Sequence, residues 1–169
     1  KQFDLAISAY KISLQNTKTT SAQLKLAKSY LDNGDFDTSL ATYNAIDENA
    51  LSNYDKTIWF EGRGDVFVKL KDYSNGIKAY EDGLKVAKKH LIAPKVTDLN
   101  SKMAQVYSDQ GQTTKAKSFF NNSLNLAEKE NKKRAVEEQI KVAEFNSANA
   151  DYENEIVLRK QAIEGIKDI

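Results

Sequence analysis

The chain has 169 residues, with 25 Lys or Arg against 24 Asp or Glu and a formal net charge of +1 at neutral pH. That balance argues against a dedicated nucleic-acid surface, which carries a clear basic excess; a mean hydropathy of −0.62, with no apolar run near the roughly 18 residues of a membrane span, argues against membrane insertion. The absence of cysteine removes disulfides, thiol catalysis and thiolate metal sites together and leaves the compartment open, while one Pro and seven Gly are too few for a β-sandwich or a disordered linker.

Apolar residues recur at three- and four-residue steps almost throughout, the period of amphipathic helices. The pattern predicts nine helices, over about 3–16, 20–33, 36–49, 54–70, 73–91, 94–110, 113–130, 132–149 and 151–168. The first opens on Phe3-Asp4-Leu5-Ala6, as though midway through a larger unit. The second and third are divided by Asn33-Gly34-Asp35, and the fourth and fifth by Lys71-Asp72. A Gly just past a helix end takes positive φ without Cβ strain, and an Asp or Thr after it can cap the next helix. Pro94 suits the first turn of the sixth helix, where its missing N–H is not needed. Gln110-Gly111-Gln112 and Asn149-Ala150-Asp151 supply the later turns, and Lys129 to Arg134 reads as a polar connection. The end of the chain, Ile163 to Ile169, is still apolar at helical spacing. With no Met before Lys1, the chain reads as a piece of a longer protein.

Four segments repeat. Leu26-Ala27, Tyr30, Phe36, Ser39 and Tyr43 correspond to Arg63-Gly64, Phe67, Tyr73, Gly76 and Tyr80. The third copy is Met103-Ala104, Tyr107, Thr113, Ala116 and Phe120; the fourth, weaker one is Val142-Ala143, Asn146, Tyr152, Glu155 and Arg159. The residue opening each second helix falls at 36, 73, 113 and 152, giving spacings of 37, 40 and 39. Repeats at this period mean stacked helix hairpins, each burying its apolar face only against its neighbours.

This pattern resembles the tetratricopeptide repeat family over nearly the whole chain. That family places a large apolar residue and a small one side by side, then an aromatic, in its first helix. The second helix carries a small residue, an aromatic, and another small residue. Ile46, Phe60, Gly83, Ser123 and Ala162 extend the match, while Arg63 departs where Leu is expected. Asn146, Glu155 and Arg159 depart where Tyr, a small residue and an aromatic are expected. The resemblance implies an all-α, antiparallel helix-hairpin solenoid with a right-handed superhelical curve. Its parts would be a half repeat over 1–19 and repeats over about 20–56, 57–96, 97–135 and 136–169. The long period is similar to that of arrays in bacterial peptide-sensing regulators and the sensor regions of some histidine kinases.

The resemblance also implies a concave face lined by the first helix of each repeat. Carried over residue by residue, it offers Leu24, Lys28, Leu31, Ile58, Glu61, Asp65, Val68, Lys69, Lys102, Gln105, Lys141 and Glu144. Leu24, Leu31, Ile58 and Val68 would be its apolar anchors. Chaperone-binding members grip a terminal carboxylate with Lys, Asn and Arg. Leu24, Lys28, Gly62, Asp98 and Lys102 stand at those places and mostly do not match. The implied function is a non-catalytic scaffold for a protein or peptide, or alternatively the ligand-sensing region of a bacterial signalling protein such as a sensor histidine kinase. Exposed terminal helices would permit self-association.

No chemistry competes with that expectation. His90 is the sole histidine, and no Ser, Cys or Asp pattern assigns it a base's role; it is expected near a helix end, where positive charge suits the dipole. Asp32 to Asp37 lacks the Gly and Glu spacing of a calcium loop and reads as a capped turn. Lys88-Lys89 and Lys132-Lys133-Arg134 are interleaved with Glu128, Glu130, Glu137 and Glu138 and read as solvated. Phe60, Tyr73 and Tyr80 read as core, and the spacing leaves the exposure of Trp59 open. Neither cofactor nor metal is expected.

Overall fold

The computed structural model describes residues 2–17 and 19–167, and the expectations for Lys1, Asp168 and Ile169 lie outside them. Among the described residues there are nine α-helices, one 3-10 turn and no strand. The chain divides into two compact units, residues 1–90 and 91–169. In the first unit the helices are α1 (Gln2–Asn16), α2 (Thr20–Asp32), α3 (Phe36–Asn44), α4 (Asn53–Lys69) and α5 (Tyr73–Lys89). In the second they are α6 (Ala93–Asp109), α7 (Thr113–Glu130), α8 (Lys132–Ala148) and α9 (Tyr152–Lys167). This is the all-α helical repeat fold.

The repeat is visible in its hydrogen bonds. Gly34 and Gly111 take φ of +83° and +70° at hairpin turns. Lys71 and Ala150 hold the same left-handed backbone, at φ of 61° and 58°, in the two sister turns. In each turn that residue's N–H donates to the carbonyl three residues back: Gly34 to Leu31 (3.0 Å), Lys71 to Val68 (3.0 Å), Gly111 to Ser108 (2.9 Å) and Ala150 to Ser147 (3.1 Å). The following N–H reaches five residues back, as from Asp35 to Tyr30 (2.9 Å) and from Asp151 to Asn146 (2.8 Å). These bonds satisfy carbonyls that a helix end leaves orphaned. Side-chain caps then start the next helix. Asp35 accepts from the Thr38 amide and Asp72 from the Asn75 amide. At the third turn the expected cap fails. Thr113 is already helical, and Gln112 stands at the cap with its side chain donating to Gln110 and not accepting from the helix's first amides.

Small residues bring the paired helices together. Ala27 and Ser39 are fully buried, and the Ser39 hydroxyl donates to the Ala27 carbonyl at 2.8 Å across the α2–α3 hairpin. Gly64 lies so close to the Tyr80 ring that a Cβ there would sit 2.3 Å from it. Gly62 is equally tight against Tyr43, whose hydroxyl would be 2.2 Å from such a Cβ. Ala104 and Ala116 are both fully buried in the core of the second unit, with Phe120, Val142 and Phe145.

One expected helix is cut short. The periodicity predicts helix over 36–49, yet α3 stops at Asn44 and a 3-10 turn follows over Glu48–Ala50. The stop has a local cause and a tertiary one. The Asp47 carboxylate accepts from the Asn49 amide at 3.0 Å, starting the new turn. Ile46 and Leu51 are both buried in the core of the first unit, which a continuous helix could not supply from both sides of the turn.

Candidate binding surfaces

The groove candidates separate on inspection of burial. Leu24 and Leu31, expected as open anchors, are only 5% and 7% exposed and belong to the core with Ala27, Tyr43, Trp59 and Val66. The correction has a physical reason: α2 packs against α4 as well as α3, so its apolar face is covered inside the unit. Lys28 is exposed and ion-paired with Asp32 one turn on. On α4, Ile58, Glu61, Asp65 and Val68 are all half-buried and follow one another at steps of three and four, so they form one stripe. Lys69 is exposed at its end.

Asp65 has a structural duty within that stripe. It accepts the Tyr80 hydroxyl at 2.6 Å. Burial, then the charge of Asp65, pushes the Tyr80 phenol well above its ordinary range. The Tyr43 phenol is also raised, by burial first and by Asp65 and Glu61 after it. Both tyrosines therefore stay neutral and serve as packing, each against a glycine of α4.

In the second unit, Lys102 is half-buried, and Gln105, Lys141 and Glu144 are exposed. Gln105 donates to Asp109 at 2.7 Å. Lys141 pairs at 2.5 Å with Glu138, a carboxylate whose side chain is almost wholly buried. Arg134 corrects another expectation, since it is not a solvated charge. Its guanidinium donates to Asp98 at 2.6 Å and pairs with Glu130 at 3.3 Å, and Thr97 donates to Glu130. The polar connection before α8 is thus tied back to the start of α6. In the last hairpin two of the three departures from the repeat pattern answer each other. Arg159 donates to Glu155 at 2.8 Å, and that bond holds the Glu155 carboxyl below its usual range.

Trp59 is core. Its indole N–H donates to the Tyr43 carbonyl at 2.8 Å, and Phe60 meets its ring edge-on. Arg63 lies over the same ring, 4.5 Å from its centroid. Burial lowers the pKa of this guanidinium, with Glu48 and Asp82 opposing the shift. Its Nε is out of water and has no hydrogen-bond partner. Beside it, Phe60, Phe67 and Ala79 wall a cavity of about 280 Å³ whose polar rim includes Lys78 and Asp82. Sequence reasoning missed this cavity, although its signal was present: a cation stands where the repeat pattern expects Leu. His90 caps the end of α5, with Asn53 Nδ2 3.1 Å from its Nδ1.

Paired helices with small residues at the crossings and a shared turn chemistry define a helix-hairpin repeat protein. Residues 21–50 and 97–130 each match a tetratricopeptide repeat model, so the chain carries tetratricopeptide repeats at both places. No curated protein sequence matches it significantly. Among solved structures it is similar to the apo form of RapI, with TM-score 0.82, 13% identity, and coverage of 99% of this chain and 65% of that one. TTC0263, a thermophilic protein of Thermus thermophilus, gives TM-score 0.74 at 16% identity, covering 96% and 82%. BtubC from P. vanneervenii gives TM-score 0.73 at 11% identity, covering 99% and 72%. At these identities the likeness is one of fold.

Proposed function

We propose that the chain is a non-catalytic scaffold that binds a protein or peptide along the first helices of its hairpins. The stripe Ile58, Glu61, Asp65 and Val68 supports this reading most directly. It lies on α4, whose Gly62 and Gly64 meet Tyr43 and Tyr80 and whose Trp59 and Val66 lie in the core, and its four residues are left half-open. Ile58 and Val68 supply apolar area at its two ends, with Glu61 and Asp65 between them. In the second unit Lys102, Gln105, Lys141 and Glu144 offer a second, more polar set. Charged groups in such a surface give orientation and on-rate, and a few apolar anchors give most of the affinity.

Peptides selected from a random library on the immobilised chain test this. Ile58→Ala and Val68→Ala should each weaken the selected peptides by about tenfold, the usual scale for truncating an anchor. Lys88→Ala, on exposed α5 surface, should leave them unchanged. Peptides that lose affinity on Lys88→Ala and not on the α4 changes would move the binding surface to the second helices.

A further inference from the structure

The cavity beside Arg63 lies on the other side of α4 from the stripe just described. At 100° per residue, Phe60, Arg63 and Phe67 point away from Ile58, Glu61, Asp65 and Val68. Its 280 Å³ falls just below the roughly 300–1,000 Å³ of drug-sized pockets and suits one side chain or a small acid. Its chemistry is unequal. Phe60, Phe67 and Ala79 make an apolar wall, and Arg63, Lys78, Asn75 and Asp82 supply the polar atoms.

Arg63 is held ready. Its Cζ sits 4.5 Å from the centre of the Trp59 ring, and Trp59 is itself fixed by the bond to Tyr43 and by Phe60. The Arg63 Nε is closed to water and to a ligand alike, so the outer nitrogens of the fork are the donors that Arg63 brings to the cavity it lines. Of the nearest acids, Asp82 accepts from Lys85 at 2.9 Å, and Glu48 sits exposed on the 3-10 turn. The lining sets Arg63 and Lys78 against Asp82, and the Glu48 charge also reaches Arg63, a small balance that matches a monoanion better than a phosphate dianion. A planar guanidinium also fits a planar carboxylate by two parallel bonds.

We propose that the α4–α5 cavity binds a carboxylate on an apolar stem, with Arg63 as its main donor, Lys78 as a second, and the stem against Phe60, Phe67 and Ala79. The same chemistry is offered by a free organic acid and by a glutamate side chain of a polypeptide. Trp59 is the sole tryptophan, so its emission reports events at the Arg63 stack.

The test titrates the full chain with 3-phenylpropionate, with 3-phenylpropionamide, and with a blocked Ala-Glu-Ala tripeptide beside its Ala-Gln-Ala counterpart. The acid should shift Trp59 emission saturably, and the amide should bind at least tenfold more weakly. Arg63→Leu restores the residue of the repeat pattern, so the variant should fold with an unchanged or higher denaturant midpoint and lose the acid by at least tenfold. Because that change alters the tryptophan's surroundings, the Ala79 methyl resonance is followed in parallel. Binding of the Glu tripeptide and not the Gln one identifies a side-chain source; binding of the free acid alone identifies a small-molecule source. No saturable response to either carboxylate, equal binding of acid and amide, or undiminished binding by folded Arg63→Leu would overturn the proposal.

Discussion

Lys71 and Ala150 show how far a repeat tolerates a poor residue. Each holds the left-handed backbone that Gly34 and Gly111 hold in the sister turns, and each keeps the same pair of closing hydrogen bonds. A Cβ in that conformation costs roughly 1–2 kcal/mol, while glycine costs about 0.4–1 kcal/mol through the freedom it adds to the unfolded chain. The first effect wins by a small margin. Ala150→Gly should therefore stabilise the chain by about 0.5–1 kcal/mol, and Gly34→Ala should destabilise it by a similar amount. Gly34 has no atom within 4 Å of the place its Cβ would take, so no packing change obscures the comparison. Denaturant midpoints of the two variants check this; a fall in both would mean that neighbouring contacts, not φ, govern these turns. The turn at Asn149-Ala150-Asp151 is legible in the sequence as a break in the periodicity. The left-handed strain at Ala150 is not legible, because only the position of that break, and not its backbone geometry, is written in residue types.

At the scale of the helix, the sequence speaks clearly where packing and propensity agree. The bounds of α7 match the expected 113–130, and those of α4 to α6 differ from the expected ones by a residue or two. It misleads where a distant contact decides. Nothing in Ala45-Ile46-Asp47-Glu48-Asn49 breaks helical spacing, yet the chain turns there to bury Leu51. The repeat position of Leu24 and Leu31 points to an open face, and α4 covers them. Arg63 is the reverse case: the departure from pattern is visible, but the cavity it edges depends on where α5 places Asn75, Lys78, Ala79 and Asp82. The α6–α7 hairpin provides a direct check of the register. Ala104 and Ala116 are both fully buried in one cluster, so Ala104→Leu must force helices apart or side chains off their rotamers. Such overpacking costs roughly 1–3 kcal/mol. An unchanged unfolding midpoint for Ala104→Leu would show that α6 and α7 do not meet at this crossing.

For the molecule as a whole, stability in an array of hairpins is close to a sum of unit and interface terms. Protection should then follow the number of packed sides each helix has, unit by unit. In the first unit α1 packs against α2 and leaves Leu5 73% exposed, with Ile12 also open. In the second, α9 packs against α8 and leaves Tyr152, Ile156, Ile163 and Ile166 exposed along its length. By contrast, α4 contributes Trp59 and Val66 to one core, and Leu99, Met103 and Ala104 of α6 are all but fully buried. Local opening draws on the least packed elements. Amide hydrogens of α1 should therefore exchange at least tenfold faster than those of α4, and those of α9 at least tenfold faster than those of α6. Dilution should not alter the ratios if the chain is monomeric. Protection of α1 and α9 that equals the interior helices at high concentration and fades on dilution would instead reveal a second copy covering their apolar faces, the self-association that exposed terminal helices permit. Equal protection at every concentration would overturn the additive picture and require each unit to open as one.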